Sequence, residues 1–232
     1  STLPTLNTVN LTSGADIVTP QANAAEEINA ALGGTSPSLG RTDQIDGGSA
    51  QDTINVAMDG NFLLGFSSGF MKDVEIVNLA ATASSVTPKT FNFTGVSGVE
   101  TINVGAANAQ VIVSNISDTG LTLNLSGQST GAFDVGFATG TISGSGSALT
   151  VGLTDVGSTG TNVSLTANLV TDLDIVSNGS DNHITLDGSV NDIQNISVSG
   201  AGDLVIGGIP STASGFTAAS AGGDVTLTVD TD

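Results

Sequence analysis

The 232 residues contain no cysteine, no tryptophan and no tyrosine, and only three basic side chains: Arg41, Lys72 and Lys89. Without cysteine there is neither a disulfide nor a thiolate metal site, although this does not decide the compartment. Three scattered bases cannot track a phosphate backbone, so nucleic acid is excluded as a partner. An anionic membrane is disfavoured unless calcium bridges to it. No apolar run approaches the roughly 18 residues of a spanning helix. The aromatic girdles of a membrane barrel are missing too. His183 is the only histidine, so a metal site built on two histidines cannot form within the chain. It alternates with Asn182 and Ile184, which reads as a solvent-facing strand position. There is no G-x-S-x-G elbow with a plausible base and no phosphate loop with its lysine. These absences argue against an enzyme. No secretion signal is visible at the start, and the chain reads as a piece of a longer protein.

What is present is acid. The chain has 22 acidic side chains and a formal charge of −19. Only Glu26, Glu27, Glu75 and Glu100 are glutamate, so 18 are aspartate. Aspartate favours turns and is a hard oxygen ligand for Ca²⁺. Such a charge opposes compaction, and bound divalent cations would relieve it. The plain alternative is a solvated acidic surface. With 38% hydrophobic residues, 3% aromatic and a mean hydropathy of +0.26, an ordered core is expected. It is built from Val, Ile, Leu and Ala, with Phe the only large filler.

One stretch has the composition of a helix, Asn23 to Leu32, with Asn23 as cap and Gly33-Gly34 as stop. A loop, "GGTSPSLGRTD", comes next. Alternation of period two then takes over, in "GLTLNLSG", "ALTVGLTDV", "NVSLTANL", "DLVIGG" and "DVTLTVD". "DVEIVNL" and "GVETINV" are two copies of one pattern, ending on Leu79 and Val104. Similar strand ends occur at Leu125, Leu153, Val176 and Val198, in steps of 25, 21, 28, 23 and 22 residues. Repeats of that length predict stacked coils. The expected fold is all-β, a parallel β-solenoid with calcium-binding turns and one short N-terminal helix; a β-sandwich is the alternative. Residues 1–42 would form a cap or calcium-turn segment, and residues 43–232 the solenoid.

Gly47-Gly48-Ser49-Ala50-Gln51-Asp52-Thr53-Ile54-Asn55 fits the calcium nonapeptide G-G-x-G-x-D-x-U-x except at Ala50. The glycines make a tight turn, the Asp supplies carboxylate oxygen and the apolar residue anchors the strand. Asp43 and Asp46 flank it and would complete the shell. Leu11 to Thr19 is a weaker copy, with Gly14, Asp16 and Val18 in place. Ser177 to Thr185 is a third, with Asn182 and Ile184 in place and Asp181 and Asp187 nearby. The bland reading of each is a Gly-Asp turn before a strand. Glu75 and Glu100 hold the same place in the two repeat copies, where they would stack on adjacent coils. There they would bond turn amides or hold a cation.

The order "LTSGADIV", "DQIDGGSAQDTINV", "DVEIVNL", "GVETINV" resembles surface-layer proteins of Gram-negative bacteria of the Caulobacter type and related RTX surface proteins, clearest over residues 10–104. The resemblance implies type I secretion, calcium-dependent folding outside the cell and two-dimensional self-assembly on the bacterial surface. It implies calcium ligands at Asp16, Asp46 and Asp52, with carbonyls from Gly14, Gly47 and Gly48. A tandem nonapeptide array is lacking. The expected function is a non-enzymatic structural surface-layer piece that binds Ca²⁺ and itself, with cell-surface polysaccharide as a further partner. The alternative is a calcium-stabilised adhesin or glycan-binding module.

Overall fold

Short alternating segments separated by Gly, Asn and Asp cannot bury a face alone, and here they stack in parallel register. The computed structural model describes residues 5–22, 24–81, 87–105, 109–128, 130–142, 147–187 and 192–229. The strands run in chain order β1 (Thr5–Asn10), β2 (Ile17–Val18), β3 (Ala24–Leu32), β4 (Gln44–Asp46), β5 (Thr53–Met58), β6 (Phe70–Lys72) and β7 (Ile76–Ala81). Next come β8 (Lys89–Asn92), β9 (Val96–Ser97), β10 (Thr101–Gly105), β11 (Val111–Ile116), β12 (Thr122–Ser126), β13 (Ala132–Phe137) and β14 (Ala148–Thr154). The last are β15 (Val163–Ala167), β16 (Asp172–Asn178), β17 (Asp181–Leu186), β18 (Asn195–Gly200), β19 (Asp203–Ile209), β20 (Gly215–Ala221) and β21 (Val225–Val229).

They form a parallel β-solenoid of about nine turns. A ten-stranded sheet runs its whole length, in the order β1-β3-β5-β7-β10-β12-β14-β16-β18-β20. A four-stranded sheet, β2-β4-β6-β9, forms the second wall of the N-terminal coils. A seven-stranded sheet, β8-β11-β13-β15-β17-β19-β21, replaces it from the middle onward. The coil from β7 to β9 contributes to all three. Phe62, Phe66, Phe91 and Phe93 are buried around this changeover, and the Phe62 and Phe91 rings lie 5.3 Å apart. The sheets already include β1 to β4, so these four strands belong to the same stack as the later coils.

The helix expected from Asn23 to Leu32 is a strand. Asn23 lies outside the described residues. Ala24–Leu32 pairs in parallel with β1 on one side and β5 on the other. Its residues alternate between buried and half-buried without a break. Ala, Glu and Leu favour helix by only tenths of a kcal/mol each, and two flanking strands override that. Among the described residues there is no helix.

Facing residues form columns along the axis. Ile28, Ile54, Val77, Ile102, Leu123 and Val151 make one inward column. Leu79, Val104, Leu125 and Leu153 make another, as the repeat predicted. That column continues to Ser177, not Val176. Val176 faces outward opposite Gly152, and Val198 pairs with Ile175 one column over. Where several apolar residues alternate, a one-place slip is invisible in composition but inverts the facing.

On the outer face, Asn10, Asn29, Asn55, Asn78, Asn103 and Asn124 form a ladder. Each Nδ2 donates to the Oδ1 of the preceding coil, at 2.7–3.1 Å. Each such bond is worth about 1 kcal/mol net. The ladder stops at Gly152, which faces Asn124.

Candidate metal centre

The place three residues before the ladder asparagines is buried at Glu26 and Asp52, half-buried at Glu75 and exposed at Glu100. In the first coils it carries acids: Glu26, Asp52, Glu75 and Glu100 precede Asn29, Asn55, Asn78 and Asn103. The parallel register stacks the first three through hydrogen bonds. Asp52 Oδ1 accepts from the Glu26 N–H at 2.6 Å, and Glu75 Oε2 accepts from the Asp52 N–H at 2.7 Å. Asp52 and Glu75 therefore each pin the chain of the preceding coil. Glu26 Oε1 accepts from the Gln21 N–H within its own coil, at 2.9 Å. This is the expected turn-amide role of Glu75. The backbone of Glu100 stacks on it as predicted, its N–H bonded to the Glu75 carbonyl at 2.9 Å.

Glu26 and Asp52 each use one oxygen in this way. Their second oxygens, Oε2 and Oδ2, are buried without a hydrogen-bond partner. The residues themselves are 1% and 0% exposed. The bond from Glu26 N–H to Asp52 Oδ1 places the two side chains on adjacent coils in register. Burial pushes Asp52 up to about 7; its bond from the Glu26 N–H opposes this, and the carboxyls of Glu26 and Glu75 add to it. A solvated acidic surface does not describe these residues.

Gly47 borders this place. A Cβ there would lie 2.7 Å from Asp52 Oδ2 and 1.9 Å from the Asp73 carbonyl oxygen. Only glycine fits, because the two oxygens crowd the place a side chain would take. Asp73 reaches it through a left-handed backbone, φ +52°. Gly48 has φ +97°, and a Cβ there would strike Pro20. The Gly-Gly pair thus makes the tight turn predicted.

The other expected ligands lie elsewhere in the coils. Asp43 is fully buried and accepts from the N–H groups of Gly40 and Asp16, at 2.7 and 3.0 Å. Asp16 curls back on Thr12, accepting from its N–H and hydroxyl, and Gly14 N–H bonds the same hydroxyl. Asp16 and Asp43 are thus neighbours across one pair of coils. Asp46 meets Lys72 Nζ at 2.6 Å and holds that ammonium above its ordinary value.

Asp181 meets His183 Nε2 at 2.7 Å. His183 is buried, not solvent-facing, because the turn at Val156–Gly157 packs over it and its N–H bonds the Val156 carbonyl. Asn182 is fully used: Oδ1 accepts from Val156 N–H while Nδ2 donates to Ser177 and Asn178. Asp181 and Asp187 sit at opposite ends of β17, roughly 20 Å of extended chain apart, and do not share a centre.

Among the described residues, no three His, Asp or Glu side chains converge in a metal-holding group. A cation at Glu26 and Asp52 would draw its remaining oxygens from backbone carbonyls, as calcium sites commonly do. Buried oxygens without partners fit a hard cation and do not fit a soft one. Sequence reasoning missed Glu26 because its segment has the composition of a helix. The signal was present: an acid three places before asparagine recurs in four successive coils. No protein-family model, curated protein or solved structure matches this chain.

Proposed function

We propose that this chain is a non-catalytic, calcium-stabilised structural piece of a secreted bacterial surface layer, which associates with copies of itself. The observation that carries the reading is the buried acid pair in the N-terminal coils. A solenoid with carboxylates inside its wall and no base beside them is poorly balanced until a divalent cation is supplied. Calcium sites of extracellular modules are tuned to about 10⁻⁴–10⁻³ M, which would confine tight folding to the outside of the cell.

Other features support the same reading. Each of the three bases is engaged by its own chain: Lys72 by Asp46, Lys89 by the Asp59 carbonyl and Arg41 by the Gly65 carbonyl. His183 is buried against Asp181. None of these four side chains is thus without a partner of its own. Among the described residues no helix is long and apolar enough to cross a membrane. Exposed Phe216 and Leu227 continue the inward columns of Ile196 and Ile206. An edge-on contact with another copy would extend both.

The adhesin reading has one feature in its favour. A cleft of about 490 Å³ lies between the loops at 33–41 and 61–64, with Leu63 and Leu64 exposed on its rim.

Circular dichroism with thermal melting across a calcium titration tests the proposal, with magnesium and chelator as controls. The expected result is a calcium-specific rise in melting temperature, since a ligand of the native state stabilises by mass action. Calcium-dependent growth of particles by light scattering and microscopy is expected alongside it. Melting indifferent to calcium and chelator, with a monomer at all concentrations, would contradict it.

A further inference from the structure

We propose that Glu26 and Asp52 together bind one calcium ion inside the solenoid wall, with the Asp73 carbonyl, near Asp52 Oδ2 at Gly47, as a further oxygen ligand. This rests on the calcium reading above and assigns it a place. It differs from the sequence-derived ligand set, in which Asp52 worked with Asp46 and Asp43 across the turn. Asp46 is engaged by Lys72, and both oxygens of Asp43 are taken by amides. Glu26, one coil away in register, is the acid that faces Asp52.

Three observations converge on the pair. First, both side chains are almost wholly enclosed, and each has one oxygen committed to a backbone amide and one without any partner. An unsatisfied buried polar oxygen is costly, and two facing anions are more so. Second, no basic side chain neutralises them, since all three bases are engaged elsewhere. Third, Asp52 Oδ2 and the Asp73 main-chain carbonyl both crowd the place a Cβ would take at Gly47, so the two oxygens lie near one another. Carboxylate and carbonyl oxygens together are the donor set of Ca²⁺. The competing way to settle the pair is a shared proton, and it makes opposite predictions.

The test is isothermal calorimetry of CaCl₂ into the intact chain at pH 8, with melting in chelator, for the native protein, Glu26→Gln, Asp52→Asn and Asp43→Asn. Both pair variants keep an amide oxygen to accept the backbone N–H, so folding is preserved. The inference expects each of them to lose one calcium ion per chain. Each should also melt higher than the native protein in chelator, because the facing charges are relieved. Asp43→Asn should keep that ion. If the native protein binds calcium and both pair variants bind it in the same number, this placement is overturned while the calcium reading stands. If the native protein takes up no calcium and chelator leaves its melting unchanged, the calcium reading itself fails. The pair is then held by a proton.

Discussion

The N-terminal and C-terminal coils use one column for opposite chemistry: it is enclosed at Glu26 and Asp52, opens at Glu75 and Glu100, and closes again over leucine. In the ten-stranded sheet the place two residues before the Ile28 column reads Glu26, Asp52, Glu75, Glu100, then Leu121, Leu149, Leu173 and Ile196. The enclosure is the same at either end: Asp52 and Leu173 are both 0% exposed. In a stacked fold each coil interacts mainly with its neighbours, so polarity can switch part way along without disturbing the backbone. The cost of the switch is charge. A leucine in this column contributes about 1.5–3 kcal/mol by leaving water, whereas a carboxylate enclosed there, as Glu26 and Asp52 are, must share a proton or meet a cation. Two other features change over the same stretch. The four-stranded wall gives way to the seven-stranded one, and the asparagine ladder ends at Gly152.

The sharpest way to break the contrast is to put an acid where leucine belongs. Leu173→Glu is expected to cost about 4 kcal/mol, with or without calcium, measured by urea unfolding. An equal cost to that of a surface substitution would show the column is not enclosed. The reverse exchange, Glu26→Leu with Asp52→Leu, makes the first coils resemble the last. Replacing buried charges by apolar groups is often neutral or stabilising, so the expected outcome is a protein whose melting no longer responds to calcium or chelator. Retained calcium dependence would place the linkage elsewhere.

Acidity provides a gentler probe. Asp52 is raised from 3.8 to about 7 in the folded, metal-free protein. The folded state therefore holds a proton that the unfolded chain releases. Stability from this group is complete below pH ~4 and is lost as pH rises through about 7. In chelator, urea midpoints are expected to fall across that window, and Asp52→Asn should flatten the slope. The smallest effect belongs to the outer face. Asn78→Ala removes two ladder bonds and is expected to cost about 1–2 kcal/mol, seen as a lower urea midpoint without change of fold.

The solenoid was legible because its evidence is periodic. Glu75 and Glu100 lie 25 residues apart on identical patterns, and they stack as that spacing demands. The Gly47-Gly48 turn and the buried Asp52 were legible for a similar reason, since a left-handed glycine and a short acid before a strand leave a local signature. Glu26 was not legible as a partner. Its surroundings, "NAAEEINAAL", carry helix-favouring residues, and only the strands on either side make them extend. Val176 failed differently: it comes directly after Ile175, and facing is set by register with β14, not by hydrophobicity. His183 was misread because the turn that covers it comes from a different coil. Contacts made between coils have no signature within the segment that receives them.

Hydrogen exchange read peptide by peptide, with calcium and with chelator, tests the central claim most directly. The account predicts that chelation exposes amides in β3, β5 and β7, around the acid column, while β14, β16 and β18, over the leucine column, keep their protection. Equal loss of protection along the whole stack, or no loss anywhere, would contradict it.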